Sequence, residues 1–196
     1  YQVYDSFSLK PDITLLGCMA HARRKFFDAQ NNDSKRATHV LTEIGKLYKI
    51  EKILRDENAC AEQRYKARQE KAKPILEDLK QWLDEQAIKV LPKSAIGQAM
   101  AYSVQRWEKL NAYLQNGILE IDNNLIENAI RPVALGRKNY LFAGSHEGAK
   151  RAAMMYTFFA MCKVNDIHPM QWLEQTLDQL PSHPINRIAE LLPLKK

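Results

Sequence analysis

The stretch IDNNLIENAIRP spans residues 121–132 and places several hydrogen-bonding side chains at the start of a predicted helix. If Asn124 is the N-cap, Glu127 falls at the third helical position, where its carboxylate can bond the N–H of the cap in a capping box. Asn123 and Arg131 lie four residues on either side of Glu127, so the three share one helix face. That pattern is typical of a carboxylate held in place for a hard divalent cation such as Mg²⁺, which takes oxygen ligands. The residues alone leave both interpretations open.

The chain around this stretch is expected to be mainly helical, because it holds only 7 glycines and 8 prolines. Apolar spacing predicts a strand over 13–20 (ITLLGCMA) and helices over 21–29, 35–56, 61–86, 94–117, 123–131 and 152–165, with a last helix from Pro169. Pro74 should kink or break the helix that contains it. Ser94 is a plausible N-cap, and Gly117 should end the helix that Ser94 begins. The helix over 152–165 is mostly apolar and is expected to be buried on most sides.

Basic side chains are concentrated in and after the opening stretch, at Arg131, Arg137, Lys138, Lys150 and Arg151. They could form an ordinary solvated surface. However, Tyr140 and Phe142 stand among them, and three glycines permit close approach of the backbone. Basic residues interleaved with aromatics are typical of a surface that follows a nucleic-acid backbone.

A second group of candidate residues lies near the start of the chain. Cys18 and His21 are separated by two residues. Two ligands are too few for zinc, which takes four, and no other pair of histidines completes a site. Arg23 and Arg24 follow at the start of a predicted helix, where the macrodipole disfavours positive charge. An anionic group is therefore expected to compensate them.

Composition limits the classes of function. The net charge of +6 fits a nucleic-acid partner without requiring one. Three widely spaced cysteines argue against a disulfide framework and predict a reducing, cytoplasmic location. No apolar run approaches the length of a membrane span. The chain starts mid-pattern at YQVYDSF, so we expect a piece of a longer polypeptide.

The motifs together resemble one family. GCMAHARRKF at 17–26, IDNNLIENAIRPVALGRKNYLFAGS at 121–145 and the apolar helix that follows look like the transposases of the insertion-sequence 66 family. The resemblance covers the chain from about Tyr1 to about Leu180. It favours the metal-binding interpretation of Glu127.

The resemblance implies a fold and a site. The fold would be an incomplete ribonuclease-H-like α/β domain, mainly α, interrupted by an all-helical insertion. Residues 1–30 would belong to its core, 31–116 to the insertion, 117–150 to the catalytic-Glu helix and a basic loop, and 151–196 to C-terminal helices. Glu127 matches the third carboxylate of an Asp, Asp, Glu triad whose two aspartates lie before Tyr1.

The same resemblance implies a reaction and its partners. The parent protein would cleave and transfer DNA strands during transposition with Mg²⁺ or Mn²⁺, and this chain alone would be inactive. Glu127 would bind metal, His21 would serve the catalytic site, and Asn123, Asn124 and Cys18 would support it. DNA at the element ends and target would be held by Arg23, Arg24, Arg131, Arg137, Lys138, Lys150 and Arg151. A homo-oligomer in the transposition complex is a further expectation. The alternative is a non-catalytic helical module that binds DNA or a protein, and a weaker one is a purely structural helical bundle.

Overall fold

The computed structural model describes residues 12–195, and this part of the chain is mainly helical, with no strand. The α-helices are α1 (Met19–Asp28), α2 (Ser34–Asp56), α3 (Ala61–Ala67), α4 (Lys73–Ala87), α5 (Ala95–Gln105), α6 (Trp107–Asn111), α7 (Asn124–Tyr140), α8 (His146–Val164) and α9 (Pro169–Gln179). A π-helix (Arg68–Ala72) joins α3 to α4, and 3₁₀ turns lie at Ala112–Gln115, Leu180–Ser182 and Ile185–Leu191. The chain divides into two compact units, Tyr1–Asn124 and Leu125–Lys196. The opening segment YQVYDSF lies outside the described residues.

The strand predicted over 13–20 is wrong. Residues 13–18 have no regular structure, and α1 already begins at Met19. The segment is nevertheless bonded on two sides, because the Gly17 N–H donates to the Lys109 carbonyl at 2.6 Å and the Met19 N–H to the Ile121 carbonyl at 3.1 Å. Single bonds to unrelated partners do not form a ladder, and the described residues offer no strand for pairing. A Cβ on Gly17 would lie 2.9 Å from Leu110 Cδ2, so this close crossing requires glycine.

The core of the first unit forms around α2, whose predicted apolar stripe is confirmed. Ala37, Val40, Ile44 and Leu47 are buried, and α1, α4 and α5 contribute to the same core. Asp33 caps the helix by accepting the Arg36 N–H at 3.0 Å. This bond, with the charge of the Arg36 side chain, lowers the pKa of the Asp33 carboxyl. Because α1 shares this core with the helices of 31–116, the predicted division into a core part and an insertion stays a prediction.

The kink or break predicted at Pro74 takes the form of a π-helix directly before α4, and the helical backbone is not interrupted. Helix α3 ends at Ala67, the π-helix follows with its flanking residues Ala67 and Lys73 in the helical region, and Pro74 is the second residue of α4. The Ser94 cap is also confirmed, since its hydroxyl accepts the Gly97 N–H at 3.1 Å. The single helix from Ser94 to Gly117 is wrong, because the backbone of Arg106 leaves the helical region and separates α5 from α6. The chain then turns so that Leu110 and Leu114 enter the core.

The second unit contains α7, α8 and α9, and two expectations fail there. Helix α7 passes through Pro132 and ends at Tyr140, so the basic loop predicted after Arg131 is mostly helix. An interior proline removes one backbone hydrogen bond and costs about 3 kcal/mol, yet Ala134, Leu135, Arg137 and Lys138 after it are good helix formers. Helix α8 was expected to be buried on most sides, but only Cys162 is buried and Met154 is 52% exposed.

The C-terminal part of this unit is organised by α9. The helix start predicted at Pro169 is confirmed, and His168 caps the helix, with its Nδ1 accepting the Gln171 N–H at 3.5 Å. Phe158 of α8 packs against Trp172 of α9, with 5.4 Å between ring centroids. The Trp172 indole N–H donates to the Leu191 carbonyl at 2.9 Å, and the Asn165 side chain donates to the Pro193 carbonyl at 3.0 Å. These contacts and a hydrogen bond between Tyr140 of α7 and Tyr156 leave most residues of α8 exposed or only half-buried, so its predicted burial is wrong.

Candidate functional site

Glu127 is an exposed residue in the first turn of α7. A negative charge there is stabilised by the positive end of the helix macrodipole. Asn124 is the first residue of α7, so Glu127 stands at the fourth helical position, one beyond the position of a capping box with Asn124 as N-cap. The structure therefore gives Glu127 a position from which an oxygen ligand can be offered, while its metal-binding role stays a prediction.

Asp122 satisfies the hydrogen-bonding groups at the start of α7. Its carboxylate accepts the Asn124 backbone N–H at 3.0 Å and the Asn124 side-chain amide at 2.7 Å. The Tyr48 hydroxyl donates to the same carboxylate at 2.8 Å. Burial, and then this bond to an anion, raise the pKa of Tyr48 well above its usual range. Asp122 thus works as a structural acceptor, and its place beside Tyr48 was not predicted because 74 residues separate the two.

Cys18 and His21 lie at the start of α1. Cys18 is half-buried and precedes the helix in an extended conformation, and its carbonyl accepts the His21 N–H at 3.2 Å. His21 is exposed in the first turn. A thiol is a soft ligand that Mg²⁺ does not favour. Cys18 is therefore suited to support rather than to magnesium coordination, and the catalytic role of His21 stays a prediction.

Arg23 and Arg24 are exposed on α1. Part of the negative charge expected near this pair comes from the same helix, because Arg24 Nε lies 3.8 Å from Asp28 Oδ2. The two side chains are 80% and 62% exposed, so the pair is weak and leaves the guanidinium open to another anion. Contact of either arginine with DNA stays a prediction.

The positions of the basic residues around the axis of α7 follow from their spacing in the helix. Arg131 and Lys138 lie four and eleven residues after Glu127, which places them within about 40° of it around the helix axis. Arg137 points away by about 80°. All three side chains are exposed. One face of α7 therefore carries a carboxylate followed by two cations over about 16 Å.

Lys150 and Arg151 lie in the first two turns of α8. Lys150 Nζ is 2.8 Å from Glu147 Oε1, and both side chains are more than half exposed. Arg151 is exposed as well. Lys150 is thus the less available cation for a nucleic acid, since it already has a carboxylate nearby.

Packing and backbone conformation explain why glycine occupies two positions of this region. A Cβ on Gly136 would lie 2.5 Å from the Tyr156 hydroxyl and 2.7 Å from that of Tyr140, and these two hydroxyls bond each other at 2.9 Å. Gly136 therefore permits α7 to pack on α8. Gly144 has a φ of +75°, which favours glycine in the turn between the helices. Close approach to DNA is not needed to explain either residue.

The comparisons with known proteins bear on this arrangement. Residues 1–151 match the family described as "Transposase IS66 family", and residues 157–194 match the "IS66 C-terminal element". The chain belongs to the IS66 transposase family. Both the Glu127 helix and the basic residues that follow it lie inside the first match.

Three curated relatives of this IS66 chain come from Sinorhizobium fredii (strain NBRC 101917 / NGR234). They are the "Uncharacterized protein" y4hP, 40% identical over 194 residues, y4qI, 38% identical over 183, and y4jD, 33% identical over 184. Each alignment covers 92% of this chain but only 35%, 34% and 36% of the respective relative. The chain thus spans about a third of the length of these relatives. No solved structure matches it. In the described part of this IS66 chain, no helix combines the length and apolar character needed to cross a membrane.

Proposed function

We propose that this chain is the C-terminal part of a DNA transposase that cleaves and transfers DNA strands, with Glu127 as a metal-binding carboxylate. The family match over 1–151 carries the proposal, because it includes the helix on which Glu127 stands. The exposed position of Glu127 in the first turn of α7 supports it, since a metal ligand must be accessible.

The donor chemistry of Glu127 fits Mg²⁺ or Mn²⁺, both of which prefer carboxylate oxygens. Divalent ions held in such a site activate the attacking oxygen and stabilise the leaving oxygen in displacement at a phosphodiester. His21 would hydrogen-bond the scissile phosphate or support a ligand. Arg131, Arg137 and Lys138 would hold the DNA backbone, and such contacts carry no sequence information.

A single glutamate does not gather two divalent cations, because the cations repel each other. The remaining carboxylates are proposed to lie in the part of the parent protein that precedes this chain. We therefore expect the chain alone not to nick DNA, while a polypeptide extended upstream to the length of the relatives should do so.

The experiment is nicking of supercoiled plasmid by the extended protein in Mg²⁺ or Mn²⁺. Glu127→Gln should abolish nicking, because the amide removes the ligand charge at nearly constant volume. Glu147→Gln is the matched control, since Glu147 is also in the first turn of an exposed helix and should leave nicking unchanged. Nicking that survives Glu127→Gln would contradict the proposal. DNA binding by the extended protein without any nicking would instead favour the non-catalytic module.

A further inference from the structure

Helix α2 carries a basic surface that the proposed site does not use. One side of the helix is buried through Val40, Ile44 and Leu47. Lys35, Lys46, Lys49 and Lys52 lie on the solvent side, within an arc of about 120° around the helix axis. We refer to these four residues as the α2 lysine surface.

The lysines of this surface differ from those of the neighbouring helices. On α3 and around α4, Lys66 lies 3.0 Å from Glu62, Lys73 lies 3.9 Å from Glu77, and Lys80 bonds Asp84. On α2, Lys46 is bonded through both oxygens of Glu43, at 2.7 and 2.8 Å.

Lys35, Lys49 and Lys52 make no ion pair with any carboxylate of the described chain. Of the two aspartates at the ends of the helix, Asp33 is bonded to Arg36, and Asp56 makes no ion pair with these lysines in the described chain. Three lysines of the surface therefore have no ion pair within the described residues, although the charge of Lys35 contributes to the lowered pKa of Asp33.

The residues between the lysines are small. Thr38, Thr42 and Gly45 occupy the same exposed side, and a Cβ on Gly45 would meet nothing within 4 Å. Ile53, which is 46% exposed, is the one large apolar side chain of this face within the described helix. The cores of protein–protein interfaces are depleted in lysine and enriched in aromatic residues, so this face is unlike such a core.

We propose that the α2 lysine surface is a second contact surface for the sugar–phosphate backbone of duplex DNA. The proposal extends the DNA-binding part of the proposed function. Lys35 and Lys52 are separated by 17 residues, or about 25 Å along the helix. This span exceeds the roughly 12 Å width of the major groove, so the lysines can reach phosphates on both of its sides. The contacts carry charge but no base recognition.

The test is fluorescence anisotropy of a labelled random-sequence duplex of about 30 base pairs, titrated with this chain at several salt concentrations. The variant is Lys35→Gln, Lys49→Gln and Lys52→Gln together. Each phosphate contact contributes roughly −0.9 to the slope of log K against log salt, so the slope should become shallower by about 2 to 3. EDTA in the buffer makes the result independent of metal and of nicking, so failure of the catalytic proposal and failure of this one are distinguishable.

The matched control is the triple variant Lys66→Gln, Lys73→Gln and Lys80→Gln, which removes the same charge from paired lysines of the same unit. Its slope should stay close to that of the unsubstituted chain. Circular dichroism checks that both variants keep their helix content. An unchanged slope in the α2 variant would overturn the proposal, and so would equal changes in the two variants, because net charge alone would then explain the binding.

Discussion

Asp122 illustrates how a polar residue of the family motif serves the fold. Its three described hydrogen bonds come from Tyr48 and from two groups of Asn124, so the start of α7 is tied to α2 within the first unit. The neighbouring Ile121 is buried, and its carbonyl accepts the Met19 N–H. The residues just before Glu127 are therefore fixed by specific contacts rather than by the helix alone.

At this scale we predict a pH-dependent effect of Tyr48→Phe. Loss of the hydroxyl should lower the free energy of unfolding by about 1 kcal/mol near neutral pH. The pKa of Tyr48 is raised by burial and by Asp122, so the hydroxyl keeps its proton more tightly in the folded protein than in the unfolded one. The stabilisation is thus complete below the unfolded pKa of about 10 and declines as the pH rises above it.

Urea unfolding of both proteins at neutral pH and near pH 11 measures this effect. The difference between the unsubstituted chain and Tyr48→Phe should shrink at the higher pH. A difference that stays constant would contradict the role given to the hydrogen bond with Asp122. Tyr65→Phe, at an exposed tyrosine of the same unit, is the control.

Among the elements, the π-helix between α3 and α4 carries a buried ion pair of the first unit. Arg68 is fully buried and forms two bonds of 2.8 Å with Glu51 of α2. Its remaining N–H groups donate to carbonyls of the turn after α6, namely those of Tyr113, Asn116 and Leu119. The π-helix thereby joins α2 to the segment that leads to α7.

At the same scale we predict that Arg68→Met destabilises the first unit by up to about 3–5 kcal/mol, because it removes the two bonds of 2.8 Å and leaves the buried Glu51 carboxylate with only Arg64 Nη2, at 3.3 Å, as a cation. Adding Glu51→Leu should restore part of that loss, since the poorly compensated buried charge is then gone. The loss of stability that remains in the double variant measures the hydrogen bonds that Arg68 donates to the three carbonyls. Lys66→Met, at an exposed pair, should change stability by less than about 0.5 kcal/mol.

Tryptophan fluorescence in a Trp172→Phe background measures this loss, because Trp82 and Trp107 then report on the first unit alone. A double variant less stable than Arg68→Met would show that the charge of Glu51 is not the main cause.

On the scale of the whole molecule, the net charge of +6 is spread over both compact units. The second unit carries the basic residues of α7 and α8, and the first unit carries the α2 lysine surface. Binding to DNA should therefore be a sum of contributions from each unit.

We predict that Arg137→Ala with Lys138→Ala lowers the affinity for duplex DNA and makes the salt slope shallower by up to about 2, at roughly 0.9 per phosphate contact. The change should be similar for unrelated DNA sequences, because phosphate contacts are sequence-independent. Arg55→Ala with Lys66→Ala is the control, since both side chains already face carboxylates, at 3.7 and 3.0 Å. An unchanged slope would place the DNA surface of this unit elsewhere.

Local physics was sufficient for much of the helical organisation. The apolar spacing of α2, the cap at Ser94 and the start of α9 at Pro169 were predicted correctly, because each depends on residues within a turn or two of one another. The family resemblance was likewise carried by contiguous motifs, and the match over 1–151 confirms it. Glu127 was singled out in the same way, although its role is still a prediction.

Only the tertiary structure decided the rest. The segment over 13–20 has the composition of a strand, but a strand requires a partner that the described residues do not supply. Helix α7 continues through Pro132 although the local preference is to stop there. The bonds of Tyr48 with Asp122 and of Glu51 with Arg68 join residues 74 and 17 positions apart, and no periodicity within one element encodes them. The sequence by itself determined that the chain is mainly helical and where several helices begin, whereas long-range packing decided which polar residues are buried, because burial depends on neighbours that are distant in the chain.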